Sequence, residues 1–432
     1  MHASVNVESS SKKLQVLPNE KLRIENALWG LFISDALSMP AHWYYKLEYL
    51  KRDFGTIDGY NDAPHPHPES FMVGNGYHPD VSKANELGLP YDILHDHIRF
   101  YNTSYNHLAI HAAERAGEHA NAMPILNERY HYHHGLKAGE NTLAANLVRV
   151  LMRSVIAKGD YVQDAFLQDF ITYMSTPGQN RDPYCEIYIR AWFESYSKGV
   201  APELCAQKQR TVWSIGSHGG VIRPLVLSLL EKDPYQGLGL AVSHQQLTHR
   251  SENVSSALGV LVPLLYALLH GEKPHETIPK YAKKVRLIKI TGEELSKTYR
   301  AHKGPGNIPK DQMWKIHTVF SNQYLDVNKI LEENSDEEII GKHFATACYP
   351  EHGLPLLMCL LQRNNAEFKT SLLANANAGG DNVHRGMILG LLAGASTTEI
   401  PYELKSGLLA YNELKNEIRG FVNLLSLGNL NT

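Results

Sequence analysis

The chain has 432 residues, with 42 Lys and Arg against 45 Asp and Glu, a formal net charge of −3. That near-balance carries no global basic signal for nucleic acid, and the length is enough to bury a large core. The four cysteines, Cys185, Cys205, Cys348 and Cys359, form neither a CxxC pair nor a dense framework, which fits free thiols in a reducing cytoplasm rather than a disulfide scaffold.

Residues 1–20 are polar and serine-rich without an apolar core of the signal-peptide type. We expect a flexible tail there and a single helical domain over residues 21–428. Ala27 to Pro40 reads ALWGLFISDALSMP, an apolar helix in which Asp35 is the only charge before Lys46. Such a charge is either buried with partners or lines a site. Asp35 is read as buried and hydrogen-bonded, and is counted with the substrate-binding candidates. His42 follows, then Trp43, Tyr44 and Tyr45, an aromatic run that packs in a core or stacks on a base or ribose. From about residue 55 to 136 the texture changes: Pro64-His65-Pro66-His67-Pro68 opens a stretch that holds eleven of the 23 histidines. A structureless loop of that length is uncommon in a compact domain, so we expect an ordered His/Tyr-rich insertion covering one side of a cleft. An extended Tyr130-His131-Tyr132-His133-His134 would put His131 and His133 on one face.

Gly139-Glu140-Asn141-Thr142 precedes the next helical pattern. Ser217, His218 and Gly219 form a turn before a helix that continues from Leu225 to Leu230, and such turns present backbone N–H groups to phosphates. Leu247-Thr248-His249 leads into an apolar helix from Val254 to Leu269; no run is expected to reach the length of a membrane-spanning helix. Ile330 to Phe344 carries acidic residues early and Lys342 late, as one dipole-matched helix would. His352 to Arg363 is another helical run. Ala374 to Ala395 reads ANANAGGDNVHRGMILGLLAGA: two glycines turn the chain, Asp381 falls at a helix start, and Gly386, Gly390 and Gly394 allow a neighbour to approach closely. Ile400-Pro401 and a helix over Leu408 to Leu414 follow. Strand-like alternation is scarce, so the fold class is all-α.

Two of these segments resemble the two ends of the ADP-ribosylglycohydrolase family, which includes dinitrogenase-reductase-activating glycohydrolase, the ADP-ribosyl-acceptor hydrolases and the J1 crystallins. Gly30 to His42 resembles its opening G-L-x-x-G-D-A-L-G-x-P-x-E, and Asn377 to Gly386 its closing N-x-G-G-D-x-D-T-x-G. Between them, Gly139 to Thr142 sits where the family carries T-D-D-T. Ser217 to Pro224 resembles its G-N-G-x-x-M-R segment, and Leu247 to His249 its L-T-H segment. Ile400-Pro401 resembles its closing I-P helix. Six motifs in order, from about Leu22 to Leu425, imply the family's compact orthogonal helical bundle. They also imply cleavage of a bond between the ribose anomeric carbon and an arginine nitrogen, a serine oxygen or a similar group. The substrate would be a small-molecule or protein-linked ADP-ribosyl group, with no nucleic-acid or membrane partner, and Ser217, His218, Gly219, Asp35 and Trp43 would contact it.

The resemblance implies two magnesium ions held by oxygen ligands, and here this sequence departs from its family. Glu140 and Asn141 stand for the paired Asp, Val383 and His384 for the later Asp and Thr, and His42 for the opening Glu; Asp381 is unchanged. Glu140, Asp381, His384 and His42 are the catalytic candidates, and Glu140, Asn141, Asp381 and His384 the candidate metal ligands, with His131 or His133 in reach. Imidazole and carboxylate donors suit zinc, iron, nickel or manganese better than magnesium. Three readings remain: a rebuilt catalytic site, with or without such an ion; a non-catalytic ADP-ribose-binding or crystallin-like relative; and a hydrolase of another N- or O-glycoside.

Overall fold

The computed structural model describes residues 18–103, 129–208, 216–303 and 307–427. Residues 1–17 of the expected tail, and 104–128 of the expected insertion, lie outside the described residues. Pro18 already begins helix α1 (Pro18–Ser38), and the next helix is α2 (Leu47–Phe54). Residues 55–103, the described start of the expected insertion, contribute α3 (Val81–Leu87) and two 3-10 turns, Met72–Gly74 and His95–Phe100. Next come α4 (Leu143–Lys158), α5 (Gln163–Ser175), α6 (Ile187–Tyr196), α7 (Gly219–Ser228), α8 (Pro234–Gln245), α9 (Glu252–Leu269) and α10 (Pro274–Ala282). A small module adds strand β1 (Arg286–Ile288), α11 (Gly292–Ala301), α12 (Lys310–Thr318), strand β2 (Phe320–Tyr324), α13 (Val327–Glu333) and α14 (Asp336–Ile339). The last helices are α15 (Pro350–Arg363), α16 (Phe368–Asn377), α17 (Asn382–Ala395), α18 (Tyr402–Ser406) and α19 (Tyr411–Leu427). Among the described residues the sheet is a single antiparallel pair, Arg286 opposite Tyr324 and Ile288 opposite Phe320. The protein is all-α.

Three expectations are corrected. Ile330 to Phe344 is not one helix: α13 ends at Glu333, Asn334 is extended, and Ser335 starts α14 with a capping box to Glu338. The Asn-Ser pair offers the backbone a cap instead of a continuing helix, and Gly341 at φ +88° turns the chain after it. The helix after the Ser217 turn begins before Pro224 and stops at Ser228, so Leu229 and Leu230 lie beyond it. One helix, Glu252–Leu269, is long and apolar enough to cross a membrane, with mean hydropathy 1.5 over 18 residues. It is a core helix here, with 67 % of that window buried inside the fold.

The helices α1 and α17 form the centre of the bundle. α17 is buried along its whole length and α1 from Asn26 onward, as apolar helix segments at a bundle centre must be. Their glycines explain how close they lie. A Cβ on Gly30 would strike the carbonyl of Gly390, one on Gly390 the carbonyl of Gly30, and one on Gly394 the carbonyl of Asn26. Gly386 faces Ser34 and Ser38. Partner numbers fall as residue numbers rise, so the two helices are antiparallel. The C-terminal end of α1 therefore meets the N-terminal end of α17. There the backbone of Trp43 donates to Gly380 O at 2.7 Å, and Gly380 N donates to Tyr44 O at 2.8 Å.

Gly30→Ala is expected to lower unfolding free energy by about 3 kcal/mol, because the new methyl meets rigid backbone rather than a side chain that can turn away. Gly259→Ala in α9, whose Cβ meets nothing, is expected to be neutral or slightly stabilising; urea titration of both separates packing from propensity. A second expectation concerns acid. Burial pushes the His352 imidazole down from its ordinary 6.5 to about 4, with His317 adding to it and Glu351 opposing; burial likewise holds His244 well below the ordinary value. Below pH 6.5 the unfolded chain binds protons that these folded rings refuse, so stability falls as pH drops from about 6.5 towards 4. His352 alone contributes about 3 kcal/mol to that loss. His352→Gln should flatten the slope of stability against pH across that window, as read by chemical denaturation at successive pH values.

Candidate functional site

The turn before α17 places Asp381. Gly379 and Gly380 adopt φ +61° and +64°, and a Cβ on either would strike the carbonyl of Tyr44 or Thr346. Asp381 N donates to Thr346 O at 2.7 Å. The fully buried Arg385 fastens the turn from below: its Nη2 donates to Gly379 O at 2.8 Å and its Nε to Asn375 Oδ1 at 2.9 Å. Asp381 occupies the N-cap position of α17, yet its carboxylate does not cap the helix. It faces imidazoles instead.

His42 Nε2 lies 3.0 Å and His384 Nδ1 2.7 Å from Asp381 Oδ1, and His218 Nδ1 lies 3.2 Å from Oδ2. Behind these, His42 Nδ1 is 2.6 Å from His133 Nε2, and His133 Nδ1 is 2.8 Å from Asp182 Oδ1. On the other side His384 Nε2 is 3.3 Å from Glu186 Oε1. Asp381 is wholly inaccessible, and His42, His133, His218 and His384 are buried with it. Burial pushes His42 down to about 3, more than its bond to Asp381 restores, with His133 and His384 adding to the shift. Burial also lowers His218. Burial works against charge on His384 too, but Asp381 and Glu186 outweigh it and hold the ring well above the ordinary histidine range. Asp381 is correspondingly kept well below the ordinary carboxylate range: burial opposes this, and His384, His218 and His42 prevail.

An aromatic wall flanks the cluster. Trp43, at φ +64°, lies 4.5 Å from His42 between ring centroids and meets Tyr132 and Tyr184 edge-on at 4.4 Å each. Tyr45 is 47 % exposed while its phenol lies within electrostatic reach of Asp381, Cys348, Tyr132 and Tyr184. It marks where the cluster approaches solvent.

Of the residues singled out from sequence, His42, His218, Asp381 and His384 come together. Glu140 does not join them. The positive φ of Gly139 turns Glu140 outward, where it accepts from Lys137 N at 3.0 Å and faces Arg181 at 3.2 Å, on a surface cavity of about 430 Å³. Asn141 is likewise not a ligand of this group: its Nδ2 donates to Asp35 Oδ2 and to Phe32 O. Asp35 is fully buried and also accepts from Thr142 N and Oγ1 at the start of α4. Burial raises its pKa despite those bonds. Ser217 is buried in the turn, and Gly219 opens α7 against the Glu186 carboxylate. Residues 131–134 are a turn, not an extended stretch, closed by His134 N to His131 O. His131, Tyr132 and His133 are all buried in consequence. Asp182 and Glu186 went unread. Glu186 precedes a helical run, as Asp381 does, and Asp182 stands before Pro183; neither lies in a motif.

His42, Asp381 and His384 offer ligand atoms that all lie within 4.8 Å of one another, a set that could hold a metal ion. Two magnesium ions do not fit. Asn141 is spent on Asp35 and Val383 is core, so the oxygen ligands such a pair needs are missing. A single ion that accepts nitrogen ligands does fit, since each candidate imidazole has its far nitrogen engaged.

The family model described as ADP-ribosylglycohydrolase matches residues 17–429. Among solved structures, the fold is similar to one described as an ADP-ribosylglycohydrolase-related protein complex, at 15 % identity and a TM-score of 0.50, over 95 % of this chain and 100 % of that one. No curated protein matches. With nearly the whole length matched by one family model, the chain belongs to the ADP-ribosylglycohydrolase family.

Proposed function

We propose that this protein is a glycohydrolase that cleaves an ADP-ribosyl or related ribosyl N- or O-glycosidic bond at the Asp381 cluster, with a site rebuilt around histidine. One observation carries the reading: sterics compel the turn Gly379-Gly380-Asp381, while every side chain hydrogen-bonded to the carboxylate is an imidazole. Breaking a ribosyl bond develops positive charge at the anomeric carbon, and a fixed anion nearby stabilises it. Asp381 is that anion, kept ionised by its histidines. His384, held charged between Asp381 and Glu186, is suited to give a proton to the leaving group, and His42 is kept neutral beside it. Trp43, Tyr45, Tyr132 and Tyr184 would exclude water and stack on ribose or base. Ser217 and Gly219 stand at the start of α7, suited to the diphosphate. His42, Asp381 and His384 would hold one transition-metal ion, which as a Lewis acid polarises a ligated oxygen.

A second reading has its own support. The Asp381 carboxylate is inaccessible and engaged by three imidazoles, which suits a protein that binds ADP-ribose without turning it over. Incubation of the full chain with ADP-ribosylated arginine and serine peptides decides between them. Release of free ADP-ribose is expected, with kcat reduced by roughly 100- to 1,000-fold in Asp381→Ala. Saturable binding without release would favour the second reading, and a fully active Asp381→Ala would remove the site.

A further inference from the structure

We propose that the cavity between the β1–β2 hairpin, α13 and the first turn of α15 is a second small-molecule site, which takes an uncharged aromatic ligand through a carboxamide bound by His352 and Glu351. The cavity holds about 840 Å³, within the size range of small-molecule sites. It is separate from the Asp381 cluster: none of its lining residues hydrogen-bonds to Asp381, His42, His218 or His384. Ile288, Phe320, Ile330 and Phe344 give it apolar walls against which a ring can lie.

The polar groups of the cavity select the ligand. His352 lines it and is 1 % exposed. Ala345 N donates to His352 Nδ1 at 3.3 Å, so Nδ1 offers its lone pair and the ring proton sits on Nε2. That N–H has no hydrogen-bond partner among the described residues. A buried donor without an acceptor is costly, and an oxygen on a ligand would satisfy it. Glu351, the preceding residue, also lines the cavity and lies within electrostatic reach of the His352 ring. Its Oε1 accepts from His317 Nδ1 at 2.6 Å and its Oε2 from Asn253 Nδ2 at 3.2 Å. Each oxygen keeps a further lone pair. The cavity thus presents one unspent N–H beside one buried carboxylate. A carboxamide answers both: its carbonyl accepts from His352 Nε2, and its N–H donates to Glu351. A carboxylate ligand does not fit, because it brings no proton for Glu351 and adds a second negative charge beside a buried one.

The test is binding by the full chain, with benzamide as the probe for the anchoring end and benzoate as its charged counterpart, both followed by saturation-transfer NMR. Benzamide is expected to bind saturably with a dissociation constant on the order of 1 mM, as suits a ligand of that size, and benzoate about tenfold more weakly. His352→Asn keeps an acceptor near Ala345 N and removes the far donor. It should weaken benzamide binding by roughly 10-fold while the circular dichroism spectrum is unchanged. Ser321→Trp, which puts a large ring at the cavity wall from β2, should abolish binding, and it decides the matter if His352→Asn does not fold. A wild-type chain that binds no benzamide, benzoate bound as tightly as benzamide, or either variant folded with unchanged affinity overturns the proposal. Benzamide binding by a chain without glycohydrolase activity leaves it standing and removes the hydrolase reading instead, because the cavity and the Asp381 cluster share no residue.

Discussion

The contact of two bare helix backbones organises this molecule. Gly30 and Gly390 each occupy a place where a single methyl would strike the other's carbonyl. Helices usually pack about 8–10 Å apart, with side chains deciding the distance; here glycines remove the side chains and the main chains close in. The result is positional accuracy at the ends of the pair. His42 leaves α1 and Asp381 enters α17 with little freedom between them, and the reciprocal bonds of Trp43 and Tyr44 with Gly380 fix what remains. A functional group held by rigid elements is held more precisely than one on a loop.

That accuracy is used to bury a dense set of ionisable groups. Asp381, His42, His384, His218, His133 and Asp182 are all nearly inaccessible. An isolated charge in such a place would neutralise itself. These groups instead settle one another: Asp381 and His384 favour their charged forms together, and His42 is driven neutral. The division of labour follows from which neighbour each ring faces. His384 lies between two carboxylates, whereas His42 lies between a carboxylate and another imidazole.

Much of this was legible in the residues. Glycines four apart in an apolar run announce a close helix contact, and the paired glycines before Asp381 announce a turn that aims it. The scarcity of alternating segments announced an all-α fold. What escaped reading was direction. Nothing in Gly139-Glu140-Asn141 says that the glutamate turns outward and the asparagine inward to Asp35. The histidine-rich stretch at 131–134 has the alternation of a strand and the hydrogen bonds of a turn. Asp182 and Glu186 matter only through partners remote in sequence, with Asp182 49 residues from His133. Contacts of that kind leave no local periodicity to read. The same holds for Asn334-Ser335, where a cap wins over a continuing helix because Ser335 and Glu338 satisfy each other's backbone groups.

The span between His42 and Asp381, 339 residues, bears on how the protein comes into being. During synthesis the chain emerges N-terminus first, and α1 must wait for α17 before its glycine face is covered. Until then the apolar stretch from Ala27 to Ile33 lacks that partner, and transiently exposed surface of that kind invites aggregation. Closing so long a loop is also slow, because its entropy is lost before the contacts form. The site is therefore a late product of folding: no amino-terminal fragment short of His384 contains it, and a nascent chain carries only unassembled parts of its chemistry until synthesis has passed that residue.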